Sequence, residues 1–352
     1  MDWCFVGWFS NLMMRYWSLV IAAVLGLAIN AVAADPRADF LKLIDRPIVP
    51  LLPQVNELGA TNNVAVYHFS FASDAQQRVP GILMEATDIS ERRPVVIVLH
   101  GTGGRKEDEE SFLRALVEKG FIAVAIDGRY HGERTRAGHG SAEYQEAIVR
   151  AWHGDGEHPF FYDTVWDVRR LVDYLETRDD VDGRRIGLAG ISKGGIETYL
   201  TAAVDKRIAV AAPFIGVQSF EWALKNDDWQ GRIGTIQNAF DTAAKEAGVT
   251  APDSAFVQQF YDRLVPGIYS EFDGPKMLPL IAPRPLLIVN SDRDKNCPLP
   301  GVKECIRTAQ AAYAADKASN HFAAIIQKNT GHAVKPESEQ AAVDWFVKWL
   351  RP

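Results

Sequence analysis

Residues 190–194, Gly-Ile-Ser-Lys-Gly, set Ser192 between two glycines, after the apolar run IGLA at 186–189 and before a helix-like stretch at 196–203. A serine on a sharp strand-to-helix turn needs small neighbours on both sides, and its strained geometry lifts the hydroxyl clear of the chain. The helix that follows aims positive dipole potential at the same place. Such a turn suits acyl transfer through a covalent acyl-enzyme. A serine hydroxyl is nevertheless a poor nucleophile at its own pKa, so the chemistry also requires a base within hydrogen-bond reach and a third group to orient that base.

Two histidines lie downstream of Ser192. His321 opens an apolar run and reads as the start of a strand, whereas His332, in NTGHAVKP, follows the last such run in a glycine loop. His332 is the expected base, in the order serine, acid, histidine. For the acid, Asp292 and Asp294 both lie just beyond the run LLIV at 286–289, in VNSDRDKNCP. The residues alone leave the two open; the one not used would be a turn residue bonding its own loop backbone. Upstream, VLHGTGG at 98–104 follows another apolar run. Its glycines would let backbone N–H groups approach a tetrahedral oxyanion, with the N–H of Lys193 as one donor and that of Thr102, or Gly103 close behind, as the other. His100 is expected to hold this loop. Lys193 is expected to act through its backbone, since a histidine is available as base.

The elements that must position these groups alternate between strand and helix. Residues 64–71 and 79–84 read as a two-stranded start, and apolar runs at 95–99, 122–126, 186–189, 209–214, 286–289 and 322–326 lack polar alternation, as strands covered on both faces do. Amphipathic stretches lie between them, clearest at 162–178 and 338–350. This is an α/β pattern, a mostly parallel central sheet flanked by helices. The connection from 215 to 285 contains only helix-like stretches, such as 236–246 and 254–264, and is expected to be a helical cap inserted after the sixth strand.

With 352 residues, 47% of them hydrophobic, and a formal charge of −7, the chain is an ordinary globular protein. It has no block of like charges, which argues against a nucleic-acid partner. The run WSLVIAAVLGLAI at 17–29, preceded by Arg15 and followed by Ala31-Val32-Ala33-Ala34, has the pattern of a secretory signal peptide. It is shorter than the about 20 apolar residues that span a bilayer. Residues 1–34, with a working start at Met13 or Met14, are therefore expected to be removed, leaving 35–352 as one exported, periplasmic or secreted catalytic domain with no stable membrane insertion. An uncleaved membrane anchor is the alternative. The mature chain keeps Cys297 and Cys305. An oxidising compartment permits a bridge between them, but sequence does not bring their Cβ atoms together.

Other residues carry a chemical and a plainer reading. Arg150, Trp152, His153 and His158 fall in RAWHGDGEHPFF, read as a long loop, where Arg150 and Trp152 could contact substrate. Trp222, with Trp229, could stack on a sugar or pack the cap on the core. GRYHGER at 128–134 reads as an ion-paired loop, Asp127 and Glu133 with Arg129 and Arg134. No His/Cys spacing suits a metal and no cofactor signature is present, so neither is expected.

The motifs LHGTGG, DGRYHGER, FFYDTVWDVRRLVDYL, GISKGG, APRPLLIVNSDRDKNCPLPG and TGHA, in that order from about residue 64 to the C-terminus, resemble the α/β-hydrolases, in particular the branch around dienelactone hydrolase and acetyl xylan esterase. The resemblance implies the α/β-hydrolase fold, favours Asp294 as the acid and places glycine where this chain has Ser291. It further implies an exported serine esterase cleaving small or medium acyl esters, acetylated carbohydrate among them, so the partner is a small-molecule or carbohydrate ester. A prolyl-oligopeptidase-like peptidase and a non-catalytic binding protein on the same scaffold are the rival readings. Oligomeric state is not legible.

Overall fold

Runs such as VVIVL and IAVAI carry no polar residue because both of their faces are covered. In the computed structural model, which describes residues 35–87 and 91–352, they are inner strands of a nine-stranded sheet. In chain order the strands are β1 (Gln54–Thr61), β2 (Val64–Ala72), β3 (Arg78–Ala86), β4 (Arg93–Leu99), β5 (Ile122–Ile126), β6 (Val181–Ile191), β7 (Ile208–Phe214), β8 (Leu286–Ser291) and β9 (Phe322–Gln327). Their spatial order is β1-β2-β3-β5-β4-β6-β7-β8-β9, antiparallel from β1 to β5 and parallel from β5 to β9. The helices are α1 (Pro36–Ile44), α2 (Glu110–Val117), α3 (Ala142–His153), α4 (Tyr162–Glu176), α5 (Lys193–Val204), α6 (Phe220–Lys225), α7 (Gln230–Gly234), α8 (Gln237–Glu246), α9 (Ser254–Leu264), α10 (Gly274–Met277), α11 (Leu299–Ala315) and α12 (Pro336–Leu350).

Successive strand residues point to opposite faces, so β4 feeds two cores. Val95, Ile97 and Leu99 pack in the layer that holds Val168 and Leu171 of α4, while Val96 and Val98 join Phe112 and Leu116 of α2 and Phe346 and Leu350 of α12. From β4 the chain crosses to β5 on one side and later returns as β6 on the other. The strand order thus reverses at β4, and Leu99 sits in register with Gly190. A reversal of this kind opens a crevice beyond the carboxyl ends of the two strands, where open α/β sheets bind ligands.

The sheet begins with a strand that the sequence reading lacked. β1, QVNELGAT, is exposed along its whole length and shows no apolar alternation; pairing with β2 is what holds it. The helical connection therefore follows the seventh strand of the chain, not the sixth, and α6 to α10 lie within it. Residues 142–153 form α3 in place of part of the expected loop, burying Tyr144, Ala147, Ile148, Ala151 and Trp152 at helical spacing. The 128–134 loop is ion-paired, but with other partners. Arg129 and Arg134 both bind Asp167 of α4, at 3.0 and 2.7 Å, and Lys106 takes Asp127 and Glu133. Cys297 and Cys305 are both buried free thiols. Among the described residues no helix is long and apolar enough to cross a membrane, and the leader at 1–34 lies outside them.

Candidate active site

β6 ends at Ile191 and α5 begins at Lys193, so Ser192 alone makes the turn. Its φ of 57° and ψ of −109° are unfavourable for a side-chain-bearing residue, at about 1–3 kcal/mol. The backbone holds it there: Ser192 N–H donates to the Phe214 carbonyl (2.9 Å), and Ile196 N–H donates to the Ser192 carbonyl (3.1 Å). The flanking glycines have a local cause. A Cβ at position 190 would lie 2.4 Å from the Gly194 oxygen, and one at 194 would lie 2.3 Å from the Leu99 oxygen. Strand, helix and the end of β4 can meet only where those side chains are missing.

Two loops at the same end of the sheet reach Ser192. His332, beyond β9, places Nε2 2.7 Å from Ser192 Oγ, and its Nδ1 lies 2.7 Å from Asp294 Oδ2, beyond β8. An Nδ1–H donating to the carboxylate leaves the Nε2 lone pair facing the serine hydroxyl. Asp294 is buried at 4% exposure, and its other oxygen accepts the Asn296 N–H at 2.8 Å. Asp292 lies elsewhere, accepting the Thr330 N–H at 3.2 Å and donating its own N–H to Gln327, a bridge between the two loops. Ser291 joins that bridge. Gln327 Nε2 donates to Ser291 Oγ (2.7 Å) and to the Ala333 carbonyl (2.8 Å), beside His332.

The 98–104 loop closes the third side. Gly128 N–H donates to His100 Nε2 at 2.9 Å, so Nδ1 carries the proton and donates to the Gly101 carbonyl at 2.7 Å. Burial, and then the charge of Lys193, push His100 down to about 3, which keeps the ring neutral. Gly101 and Thr102 line the cavity beside Ser192, whereas Gly103 and Lys193 are not among the residues that line it. The Gly103 carbonyl instead accepts the Gly140 N–H at 3.2 Å. Lys193 is the first residue of α5, so its N–H has no intrahelical acceptor. Its side chain runs inward to Glu197, 2.7 Å away and equally buried.

The model of the acetyl xylan esterase family matches residues 52–230, which is half of the chain. The chain belongs to the acetyl xylan esterase family. It is a carboxylic ester hydrolase with the α/β-hydrolase fold. The Bacillus subtilis (strain 168) protein YtaP is 24% identical over 293 residues, which is 79% of this chain and 85% of that one. A 4-O-methyl-glucuronoyl methylesterase of Neurospora crassa is 24% identical over 190 residues, covering 53% of this chain and 46% of its own. Among solved structures, acetyl xylan esterase 1 from Thermoanaerobacterium sp. JW/SL YS485 superposes with a TM-score of 0.67 at 17% identity, over 90% of this chain and 94% of that chain.

In this esterase Ser192 and His332 open onto a cavity of about 580 Å³, lined also by Thr102, Ser141, Thr235, Asn296 and Glu339. The His332 side chain keeps 27% of its surface exposed, so the site stands open to water. The three expected substrate contacts lie away from this lining. Trp152 is buried against Phe256 and Phe260 with Arg263 stacked on it at 4.0 Å. Arg150 lies over the Tyr130 ring and borders a separate groove between α3 and α8. Both turn away because α3, not a loop, carries them. Trp222 is half-buried on α6 and does not line the cavity. Ser141, Thr235, Asn296 and Glu339 come from four distant stretches, and only Asn296, two residues past Asp294, carried a hint in its position.

Glu109, just before α2 and near Glu339 of the cavity lining, is a buried acid that makes no ion pair with a described residue. Burial first, then Asp108 and Glu339, push it up to about 8 from its ordinary 4.5. The folded state then holds a proton that the unfolded chain has lost, so stability falls as pH rises through that window. Glu109→Gln is expected to remove this loss, worth up to about 4 kcal/mol between pH 5 and pH 9. Urea unfolding of both proteins at about pH 5 and pH 9 measures it: the two should converge in acid and separate in base.

Proposed function

We propose that this esterase is an exported serine hydrolase acting on small or medium acyl esters, acetylated carbohydrate among them, with Ser192 as nucleophile, His332 as general base and acid, and Asp294 as its orienting partner. The observation that carries the reading is the unbroken chain from Ser192 Oγ to His332 Nε2 and from His332 Nδ1 to Asp294, 2.7 Å at each step. His332 removes the hydroxyl proton as Ser192 Oγ attacks the carbonyl, and the tetrahedral oxyanion faces the N–H groups of Lys193 and Thr102. Collapse breaks the bond to the alcohol, which leaves with the proton from His332, and water repeats the sequence on the acyl-serine. Asp294 offsets the imidazolium charge at each stage without taking the proton. The family match and the acetyl xylan esterase fold neighbour favour esters over peptides. The apolar stretch at 17–29, ahead of small residues, is the support for export.

A fluorophosphonate probe is expected to label Ser192 in the wild type and to leave Ser192→Ala unlabelled, as intact-protein and peptide mass spectrometry would read. The labelled enzyme should lose turnover of p-nitrophenyl acetate. Turnover of peptide p-nitroanilides alone would replace this reading with a peptidase, and no labelling at all would point to a binding protein.

A further inference from the structure

We propose that Glu339 makes the active-site cavity selective against anions, so that esters bearing a negative group near the scissile bond are disfavoured and the released carboxylate is not retained. The proposal rests on the reading of Ser192 as nucleophile.

Glu339 stands in the first turn of α12 and lines the same cavity as Ser192 and His332. Among the described residues no lysine or arginine lines that cavity. The carboxylate of Glu339 is half-buried, and no hydrogen bond or ion pair with a described residue engages it. Burial penalises the charge of this acid and pushes its pKa up, and no cation partner among the described residues offsets that cost. Its own charge in turn raises the neighbouring Glu109.

What the site gains follows from its other electrostatics. α5 begins directly after Ser192 and the 98–104 loop lines the cavity beside it, and N–H donors proposed for a transient oxyanion would also attract a permanent one, such as the acid product. The first turn of α12 adds a second positive helix end, and Glu339 offsets it. The transition-state oxyanion touches its donors directly, whereas a carboxylate on a substrate or product faces the cavity and Glu339. Repulsion therefore falls more heavily on fixed anions than on the reacting oxygen. At the effective dielectric of a partly wet cleft, one charge at the span of this cavity changes binding by about 3- to 10-fold.

The test compares p-carbamoylphenyl acetate with p-carboxyphenyl acetate, which differ in charge and little in shape, at about pH 8 and low salt. After correction for their hydroxide-catalysed rates, the wild type is expected to favour the neutral ester in kcat/KM by about 3- to 10-fold. Glu339→Gln should bring the ratio near one, Glu339→Lys should invert it and Glu339→Asp should keep it. Inhibition by acetate should tighten by a similar factor in Glu339→Gln, and both effects should shrink as salt is added. An unchanged ratio and unchanged acetate inhibition in Glu339→Gln and Glu339→Lys, with fluorophosphonate labelling of Ser192 intact, would overturn the role of Glu339 alone. Absence of labelling in the wild type would overturn the reading beneath it.

Discussion

Ser192→Ala and His332→Ala are each expected to lower kcat for p-nitrophenyl acetate by about 10⁵- to 10⁶-fold, and the double variant by no more than either. The three side chains form one hydrogen-bonded unit, and a base without its nucleophile, or a nucleophile without its base, has nothing left to contribute. What remains in each case is the oxyanion donors and substrate binding, worth about 10³- to 10⁴-fold over water. Asp294→Asn should cost about 10⁴-fold, because an amide can donate to His332 Nδ1 and so favour the tautomer whose Nε2 carries the proton, facing Ser192 with no lone pair to accept. Asp292→Asn supplies the contrast. Asp292 bridges Thr330 and Gln327 and does not touch His332, so its loss should change kcat by only a few-fold and be felt in unfolding instead. Strictly multiplicative losses for Ser192 and His332, or equal losses for Asp292 and Asp294, would contradict the assignment.

The parts of this molecule that could be read in advance are those whose cause is local. Two-sided burial writes itself into β4 and β5 as unbroken apolar runs, and the apolar stripe of Val165, Val168, Leu171, Val172 and Leu175 writes the helical period of α4, although its polar face is buried too. The demand for glycine at 190 and 194 comes from contacts within a few residues of Ser192 and from the end of β4, so it survives as a five-residue pattern. β1 leaves no such trace. All eight of its residues are exposed, and main-chain bonds to β2, which any sequence can make, hold it in place. α3 did leave one, in the spacing of Tyr144, Ala147, Ile148, Ala151 and Trp152, and because a helix carries them, Arg150 and Trp152 stand off the cavity lining where a loop could have brought them to it.

The site was legible to a similar extent. Ser192 and His332 follow from strand order and position, but Asp294 and Asp292 are two residues apart on one loop, and only the tertiary course of that loop decides which of them meets a ring 38 residues away. The ion pairs of the 128–134 loop show the same limit from the other side. Opposite charges adjacent in sequence suggest each other as partners, yet Arg129 and Arg134 converge on Asp167, which α4 carries beneath the loop. The cavity lining is least legible of all. Ser141, Thr235, Asn296 and Glu339 share no period and no motif; what they share is the end of the sheet where strand order reverses.

Glu197→Leu is expected to destabilise the esterase by about 3–5 kcal/mol and to lower kcat by roughly 10- to 100-fold, two effects with a single source. Lys193 and Glu197 are both nearly fully buried, and their ion pair at 2.7 Å is the only one that either side chain makes among the described residues. Burial raises Glu197 to about 7 even with the ammonium beside it. Removing the acid leaves a cation in an apolar layer, and that cation belongs to the residue whose N–H follows the nucleophile. Any movement that lets Lys193 find water shifts the N–H proposed as an oxyanion donor, which in that role must stay within hydrogen-bond distance of the oxyanion. The space on the other side is already filled, since a Cβ at Gly128 would lie 3.0 Å from Lys193 Nζ and 3.5 Å from His100 Nε2. The two halves of the proposed donor pair therefore rest on one buried polar cluster. The double variant Lys193→Met/Glu197→Leu separates charge from shape. Replacing a buried pair by apolar residues of similar volume is often neutral or better, so the double variant should regain most of the stability lost by Glu197→Leu in urea unfolding. It should regain kcat as well if the backbone, and not the ammonium, is the functional part of Lys193. Recovery of stability without recovery of kcat would assign the Lys193 side chain a direct part in the reaction.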